Sequence, residues 1–115
     1  MTERFSDHTI LITGAGSGLG LGRASAIRLA SEGAALSLVD VSEEGLAATA
    51  DAVREIAPDA KLLTIVADGS SDDDTQRYVD ETVSTFGRLD GFFNNAGIEG
   101  RHPNPGGPPS FLPRA

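Results

Sequence analysis

The stretch Ile10-Leu11-Ile12-Thr13-Gly14-Ala15-Gly16-Ser17-Gly18-Leu19-Gly20, running on into Leu21-Gly22-Arg23-Ala24-Ser25-Ala26-Ile27-Arg28-Leu29-Ala30, decides the fold. Its first residues are apolar and β-branched with no polar alternation, the pattern of a strand buried on both faces. Its last residues set Ala26, Ile27 and Ala30 at helical spacing. Between the two lies a loop rich in glycine, where the backbone can take φ > 0 and come close to a ligand. The helix that follows points unpaired N–H groups and the positive end of its dipole at the same place. A strand, a glycine loop and a helix in this order make a cradle for a nucleotide pyrophosphate.

The spacing of the glycines narrows the choice. No run of the loop satisfies Gly-x-Gly-x-x-Gly, and a P-loop needs a lysine after its last glycine, whereas the sole lysine of the chain is Lys61. What stands there is Thr-Gly-x-x-x-Gly-x-Gly, from Thr13 through Gly14 and Gly18 to Gly20. Outward from the loop the chain alternates. Gly33 closes the first helix, and Ala35-Leu36-Ser37-Leu38-Val39 forms a second strand ending at Asp40. Ser42 caps a second helix with Glu43 and Glu44 in its first turn and Leu46, Ala50, Val53 and Ala57 along one face, stopped by Pro58-Asp59. Lys61 to Ala67 reads as a third strand. A third helix starts with Asp72, Asp73 and Asp74, carries a buried stripe of Val79, Val83 and Phe86, and ends at Gly87. Leu89 to Asn94 reads as a fourth strand. Strict β–α alternation with short connections implies right-handed crossovers and a parallel sheet ordered 3-2-1-4, with helices on both faces.

Three further features lie at strand ends. Asp40 follows Gly22 by 18 positions, where a carboxylate can accept hydrogen bonds from both adenosine ribose hydroxyls and repel a 2′-phosphate. This favours NAD over NADP; the plainer alternative is a loop aspartate capping the next helix. Asp68 closes the third strand and Asn94-Asn95-Ala96-Gly97 the fourth, at the carboxyl edge where open α/β sheets bind ligands. Thr13, Asp40, Asp68 and the Asn94-Asn95-Ala96-Gly97 run stand in the order found in the short-chain dehydrogenase/reductase family. The chain resembles that family over roughly its first 100 residues. The wording Leu36-Ser37-Leu38-Val39-Asp40-Val41-Ser42 and Gly91-Phe92-Phe93-Asn94-Asn95-Ala96-Gly97-Ile98-Glu99-Gly100 resembles its levodione-reductase branch.

The resemblance implies a Rossmann-type parallel sheet, of which this chain holds the first half over residues 1–97. It implies NAD as cofactor, held by Thr13, Gly14, Gly16, Ser17, Gly18, Leu19, Gly20 and Gly22 in and beside the loop, by Asp40, and by Asp68 and Gly69 next to the adenine. Asn94, Ala96 and Gly97 line the adenosine ribose by the same resemblance, and Asn95 braces the central sheet. Thr13 has a structural role too, its hydroxyl tying the first turn to the loop after the fourth strand. For Asp68 the alternative is a cap on the third helix, and for the asparagine run a plain turn.

The sequence departs from the family pattern in two places. Leu-Gly occurs twice in Gly18-Leu19-Gly20-Leu21-Gly22, so Gly14/Gly18/Gly20 keeps the junction at Thr13 while Gly16/Gly20/Gly22 keeps the spacing to Asp40. One loop of the family's length cannot keep both. Two residues added inside a helix turn its face by about 200°, so the extra pair belongs in the loop. Gly69 also stands where the family usually has an apolar residue. The larger departure concerns chemistry: the family's proton donor is a tyrosine with a lysine four positions later, supported by a serine and an asparagine beyond the fourth strand. The only tyrosine here is Tyr78, and Lys61 precedes it, so the pair cannot form. No residue is assigned a catalytic role, and Tyr78 reads as surface or edge packing.

Composition bounds the rest. A chain of 115 residues is one modest domain, short of a complete enzyme of this architecture. A net charge of −8 and a sequence pI near 4.5 oppose nucleic acid or anionic membrane as partner. Zero cysteines and two isolated histidines, His8 and His102, leave no disulfide and no metal cluster. The N-terminus has no signal-peptide core and no apolar run spans a bilayer, so a soluble protein of the cytoplasm is expected. Five of the six prolines fall within Ile98 to Ala115, which reads as an extended or disordered tail, or as a proline-rich ligand lacking the usual basic residues. The functional expectation is the NAD-binding portion of a dehydrogenase, truncated before its catalytic residues and inactive alone. The alternative is a stand-alone nucleotide-binding or interaction module that pairs with a full-length subunit or with itself.

Overall fold

A computed structural model describes residues 5–16, 21–68 and 71–94. Seven elements alternate along the chain: β1 (Thr9–Thr13), α1 (Leu21–Ser31), β2 (Ala35–Asp40), α2 (Glu43–Ile56), β3 (Leu62–Val66), α3 (Asp72–Phe86) and β4 (Gly91–Asn94). The four strands form one parallel sheet ordered β3-β2-β1-β4, with Ile10 opposite Leu36 and Gly91, and Leu36 opposite Leu62. Order and direction are those expected. β1 and the core of β2 are buried throughout, which is why neither shows polar alternation.

Side chains alternate across the sheet and feed two separate cores. Ile10, Ile12, Leu36 and Leu38 point toward α1 and α2, meeting Ala26, Leu29, Ala30, Leu46 and Val53. Leu11, Val39 and Ile65 point toward α3 and surround Tyr78. Leu11, Ile12, Leu36 and Leu38 are fully enclosed, and each such burial contributes about 1.5–3 kcal/mol over an exposed position.

The helix ends follow capping chemistry. Ser42 takes the Gly45 N–H at 2.9 Å and Ser71 takes the Asp74 N–H at 3.3 Å, with acidic residues in both first turns. Gly87 closes α3 at φ 83°, where its N–H reaches the Val83 carbonyl at 2.7 Å. β4 begins two residues later than expected. Asp90 pairs with Thr9 ahead of it, donating its N–H to the Thr9 carbonyl and taking the Thr9 N–H on its carboxylate at 2.8 Å. The Arg88 guanidinium chelates the same carboxylate at 2.7 and 2.8 Å and, with the Thr9 N–H, holds its pKa below the ordinary range.

Two expectations about helix faces need correction. The buried stripe of α3 is Tyr78 and Thr82, with Val79 partly buried against the same core, and it does not include Val83 or Phe86: Val83 is 42% exposed, whereas Tyr78 and Thr82 are fully enclosed. Tyr78 is therefore core rather than surface. Polar partners meet on this face: Thr82 donates to the Tyr78 carbonyl at 2.7 Å, its hydroxyl lies 2.7 Å from Ser37 Oγ of β2, and the Tyr78 phenol lies 3.2 Å from the Thr75 hydroxyl. In α1, Leu29 joins Ala26 and Ala30 in the core, and Ile27 is only partly buried. The proline-rich segment 98–115 lies outside the described residues.

Candidate functional site: the carboxyl edge of the sheet

The parallel register brings Thr13, Asp40 and Asn94 to one edge, since Thr13 is level with Val39 and Asn94, and Asp40 with Val66. Asp68 follows two residues beyond β3 at the same edge. All four strand-end residues picked out from the sequence therefore converge. Ser17, Gly18, Leu19, Gly20, Gly69, Asn95, Ala96 and Gly97 lie outside the described residues.

The chain leaves β1 through Gly14, whose φ of 68° lies in the left-handed region that favours glycine. Ala15 N–H returns to the Val39 carbonyl at 3.1 Å, and Gly16 N–H donates to Asp40 Oδ2 at 3.0 Å. No room exists for side chains around this turn. A Cβ on Gly22, in the first turn of α1, would stand 2.4 Å from the Gly14 carbonyl oxygen. A Cβ on Gly16 would stand 2.7 Å from the Gly45 carbonyl carbon in α2. α1 starts at Leu21, so Leu21 and Gly22 form its first turn, while Gly18 and Gly20, on which the choice between the two glycine registers turns, lie outside the described residues.

Asp40 is held by two backbone donors, one on each oxygen: Gly16 N–H on Oδ2 and Ser42 N–H on Oδ1 at 2.9 Å. The cap of α2 is Ser42, not Asp40. A carboxylate has about four acceptor positions, so one remains on each oxygen of a side chain already fixed in orientation. Those two positions match a vicinal diol. Asp68 is exposed and does not cap α3 either, since Ser71 does. Instead its N–H donates to Asp74 Oδ2 at 2.8 Å, and its carbonyl accepts from Ser71 N–H at 3.0 Å. The Thr13 hydroxyl donates to Asn94 Oδ1 at 2.9 Å, so the side-chain carbonyl of Asn94 is committed to bracing β1 against β4.

Two residues that the sequence reading passed over also shape the turn. Thr49 of α2, fully buried, donates its hydroxyl to the Ala15 carbonyl at 2.6 Å and accepts from Arg23 Nε at 3.0 Å. Gly45 presses its backbone on Gly16. The signal was present in the sequence: Thr49 interrupts the apolar stripe Leu46, Ala50, Val53, and Gly45 sits where a helix would favour alanine.

Tyr78 cannot serve the edge as an acid. It is enclosed on the α3 face with its ring centroid 6.2 Å from that of Phe92, and burial pushes its phenol above the ordinary range. Among the described residues no group of His, Cys, Asp or Glu is placed to hold a metal ion, and no helix is long and apolar enough to cross a membrane. A cleft of about 550 Å³ opens at the opposite, amino edge of the sheet beside His8, Ala35, Lys61 and Arg88, and no residue of the glycine turn lines it.

Comparison with known proteins agrees with this geometry. The sequence model of the family described as short chain dehydrogenase matches residues 8–107. Levodione reductase of Leifsonia aquatica is 63% identical over 100 residues, covering 87% of this chain and 37% of that protein. A crystal structure of levodione reductase superimposes with a TM-score of 0.77 at 62% identity, over 87% of this chain and 38% of that one. A crystal structure of NAD+-bound xylitol dehydrogenase superimposes with a TM-score of 0.74 at 38% identity, over 82% and 35%. The chain thus spans little more than a third of the length of these relatives, and the family's catalytic residues lie in the remainder. The chain belongs to the short-chain dehydrogenase family, as the amino-terminal portion of its Rossmann fold.

Proposed function

We propose that the carboxyl edge binds NAD in preference to NADP, with the adenosine ribose on Asp40 and the pyrophosphate over the glycine turn between Gly14 and Gly22. The observation that carries this is the Asp40 carboxylate, fixed by Gly16 N–H and Ser42 N–H with one acceptor position left on each oxygen. A 2′-phosphate brought there would meet a negative charge that is already oriented and has no cation paired to it among the described residues. The absence of side-chain room at Gly16 and Gly22 supports close approach of a pyrophosphate to the backbone. Asp68 is assigned to the adenine, and Asn94, with Ala96 and Gly97 beyond the described residues, to the ribose.

Bound there, the nicotinamide would supply hydride exchange with an alcohol or ketone, the chemistry of the family. This chain's own share is binding and orientation. Its one tyrosine is in the core, away from the edge, and no turnover is expected of the chain by itself. Titration calorimetry of NAD and NADP against the chain tests the reading. NAD binding tighter than NADP supports it, and absence of binding by either overturns it.

A second reading, a module that pairs with another subunit, is favoured by β4. It lies at the sheet edge, and Phe92 and Phe93 on its two faces are 42% and 43% exposed. An unpaired strand edge templates association with a second chain. Light scattering at rising salt tests this, since salt screens the repulsion of the −8 charge beyond about 8 Å at physiological strength. A monomer at high salt excludes it.

A further inference from the structure

We infer that Gly45 and Thr49 of α2 are positioning residues for the dinucleotide, setting the glycine turn against Asp40 and so governing discrimination at the adenosine ribose. The inference rests on the assignment of that ribose to Asp40.

Gly16 is held from two sides. Its N–H is fixed by Asp40 Oδ2 at 3.0 Å, and its carbonyl lies against Gly45, where an added Cβ would stand 2.3 Å from the oxygen and 3.0 Å from both Gly16 C and Cα. Those neighbours are backbone atoms, so they can yield only if the turn itself moves. One residue earlier, the Ala15 carbonyl is tied to α2 by the Thr49 hydroxyl. That hydroxyl has its one proton committed to Ala15 and accepts from Arg23 Nε, so a single buried atom links the turn, α1 and α2. Ala15 and Gly16 together carry the path from β1 into the loop. α2 is therefore the back wall of the cradle, although no residue of α2 belongs to the motif that marks it.

The consequence reaches the ribose through Asp40. Moving Gly16 away from α2 removes the donor on Oδ2 and leaves the carboxylate anchored through Ser42 N–H alone. The side chain can then rotate, and the fixed pair of acceptor positions is lost. Gly45 weakens α2 as a helix, since alanine is the better helix former. Helix propensity and cofactor affinity should thus respond to Gly45→Ala with opposite signs unless the contact with Gly16 dominates both.

The test uses the whole chain, with Gly45→Ala, Thr49→Val and Thr49→Ser compared with wild type. Affinities for NAD and NADP are read by calorimetry, folding by circular dichroism, and the Gly16 amide by nitrogen-15 NMR of the free protein. Gly45→Ala and Thr49→Val are expected to shift the Gly16 amide and to weaken NAD by about tenfold, the scale of one charge-assisted hydrogen bond. NADP changes less, so the NAD:NADP ratio narrows, while Thr49→Ser keeps the wild-type ratio. A purely structural role would lower the melting temperature and leave that ratio alone. Should Gly45→Ala not fold, the Thr49→Val and Thr49→Ser pair decides. Wild-type discrimination in Thr49→Val overturns the inference. A wild-type chain that binds NAD while the variants match it refutes the role of α2 alone; a wild-type chain that binds neither cofactor refutes the ribose assignment beneath it as well.

Discussion

Asp40→Ala is the most informative single change, because the proposed function gives the carboxylate two separable duties. Toward the protein it accepts Gly16 N–H and Ser42 N–H at 3.0 and 2.9 Å. The Ser42 N–H is exposed and can return to water, but the Gly16 N–H is partly buried, so its loss costs about 1 kcal/mol of stability. For a domain of this size that lowers the melting temperature by roughly 4–8 °C. Toward the cofactor the carboxylate offers one further acceptor position on each oxygen. A hydrogen bond to a charged acceptor contributes about 1.5–3 kcal/mol, so NAD affinity falls by at least about tenfold. NADP behaves differently, since the same change removes a charge facing its 2′-phosphate, and its affinity holds or rises. Asp40→Asn separates the effects by keeping an acceptor and removing the charge: the melting temperature should largely recover while the NAD:NADP ratio stays narrowed. Calorimetry with both cofactors and thermal unfolding on the same samples provide the readout. A drop in melting temperature with both affinities unchanged would refute the ribose role and leave Asp40 as a brace for the turn.

Gly22→Ala places a methyl group 2.4 Å from the Gly14 carbonyl oxygen and should abolish NAD binding while lowering the melting temperature; ordinary binding would mean that α1 can retreat from the turn without harm. Tyr78→Ala empties the α3-side core and should cost about 3–5 kcal/mol, enough to unfold much of the chain by circular dichroism at 37 °C. Tyr78→Phe loses the hydroxyl that contacts Thr75 and should cost about 0.5–1.5 kcal/mol in urea titration. The Asp90 carboxyl has its pKa lowered from the ordinary 3.8 by Arg88 and by the Thr9 N–H, so its contribution to stability is present above that value and is lost as pH falls through the lowered one. Asp90→Asn should therefore flatten the acid limb of a melting-temperature profile below about pH 4, and an unchanged profile would show that the pairing is not felt. Tyr78 works at the other extreme: its raised pKa means stability declines as pH rises past about 10, a decline that Tyr78→Phe removes.

The strand order and the position of Asp40 were legible in the sequence because they rest on local signals. Ile10-Leu11-Ile12 is apolar without alternation, the glycines follow at once, and an acidic residue closes the second strand. The face of α3 was not legible, because two stripes compete on that helix about 100° apart. Hydropathy alone prefers Val79 and Val83, and nothing local reveals that Ser37 leaves a polar partner for Thr82. Capping by Asp40 or Asp68 stood as the alternative to a binding role, and the structure gives that duty to neither. Ser42 and Ser71, nearby in sequence, serve that purpose and leave both aspartates at the edge. Gly45 and Thr49 were missed because their meaning lies in contact with Gly16 and Ala15, across a whole β–α unit. A glycine inside a helix carries little information until its neighbour in space is known.

The sheet acts as a partition. Everything that shapes the turn from behind, Gly22, Gly45 and Thr49, belongs to the α1 and α2 side, while Tyr78, Thr82 and Ser37 lie on the other. Substitutions on opposite sides share no partners, and such changes combine almost independently when about 7–10 Å or more apart. The α3 layer is thus a reserve for engineering. Its packing can be tightened or loosened to set how long the molecule survives, with little change at the glycine turn.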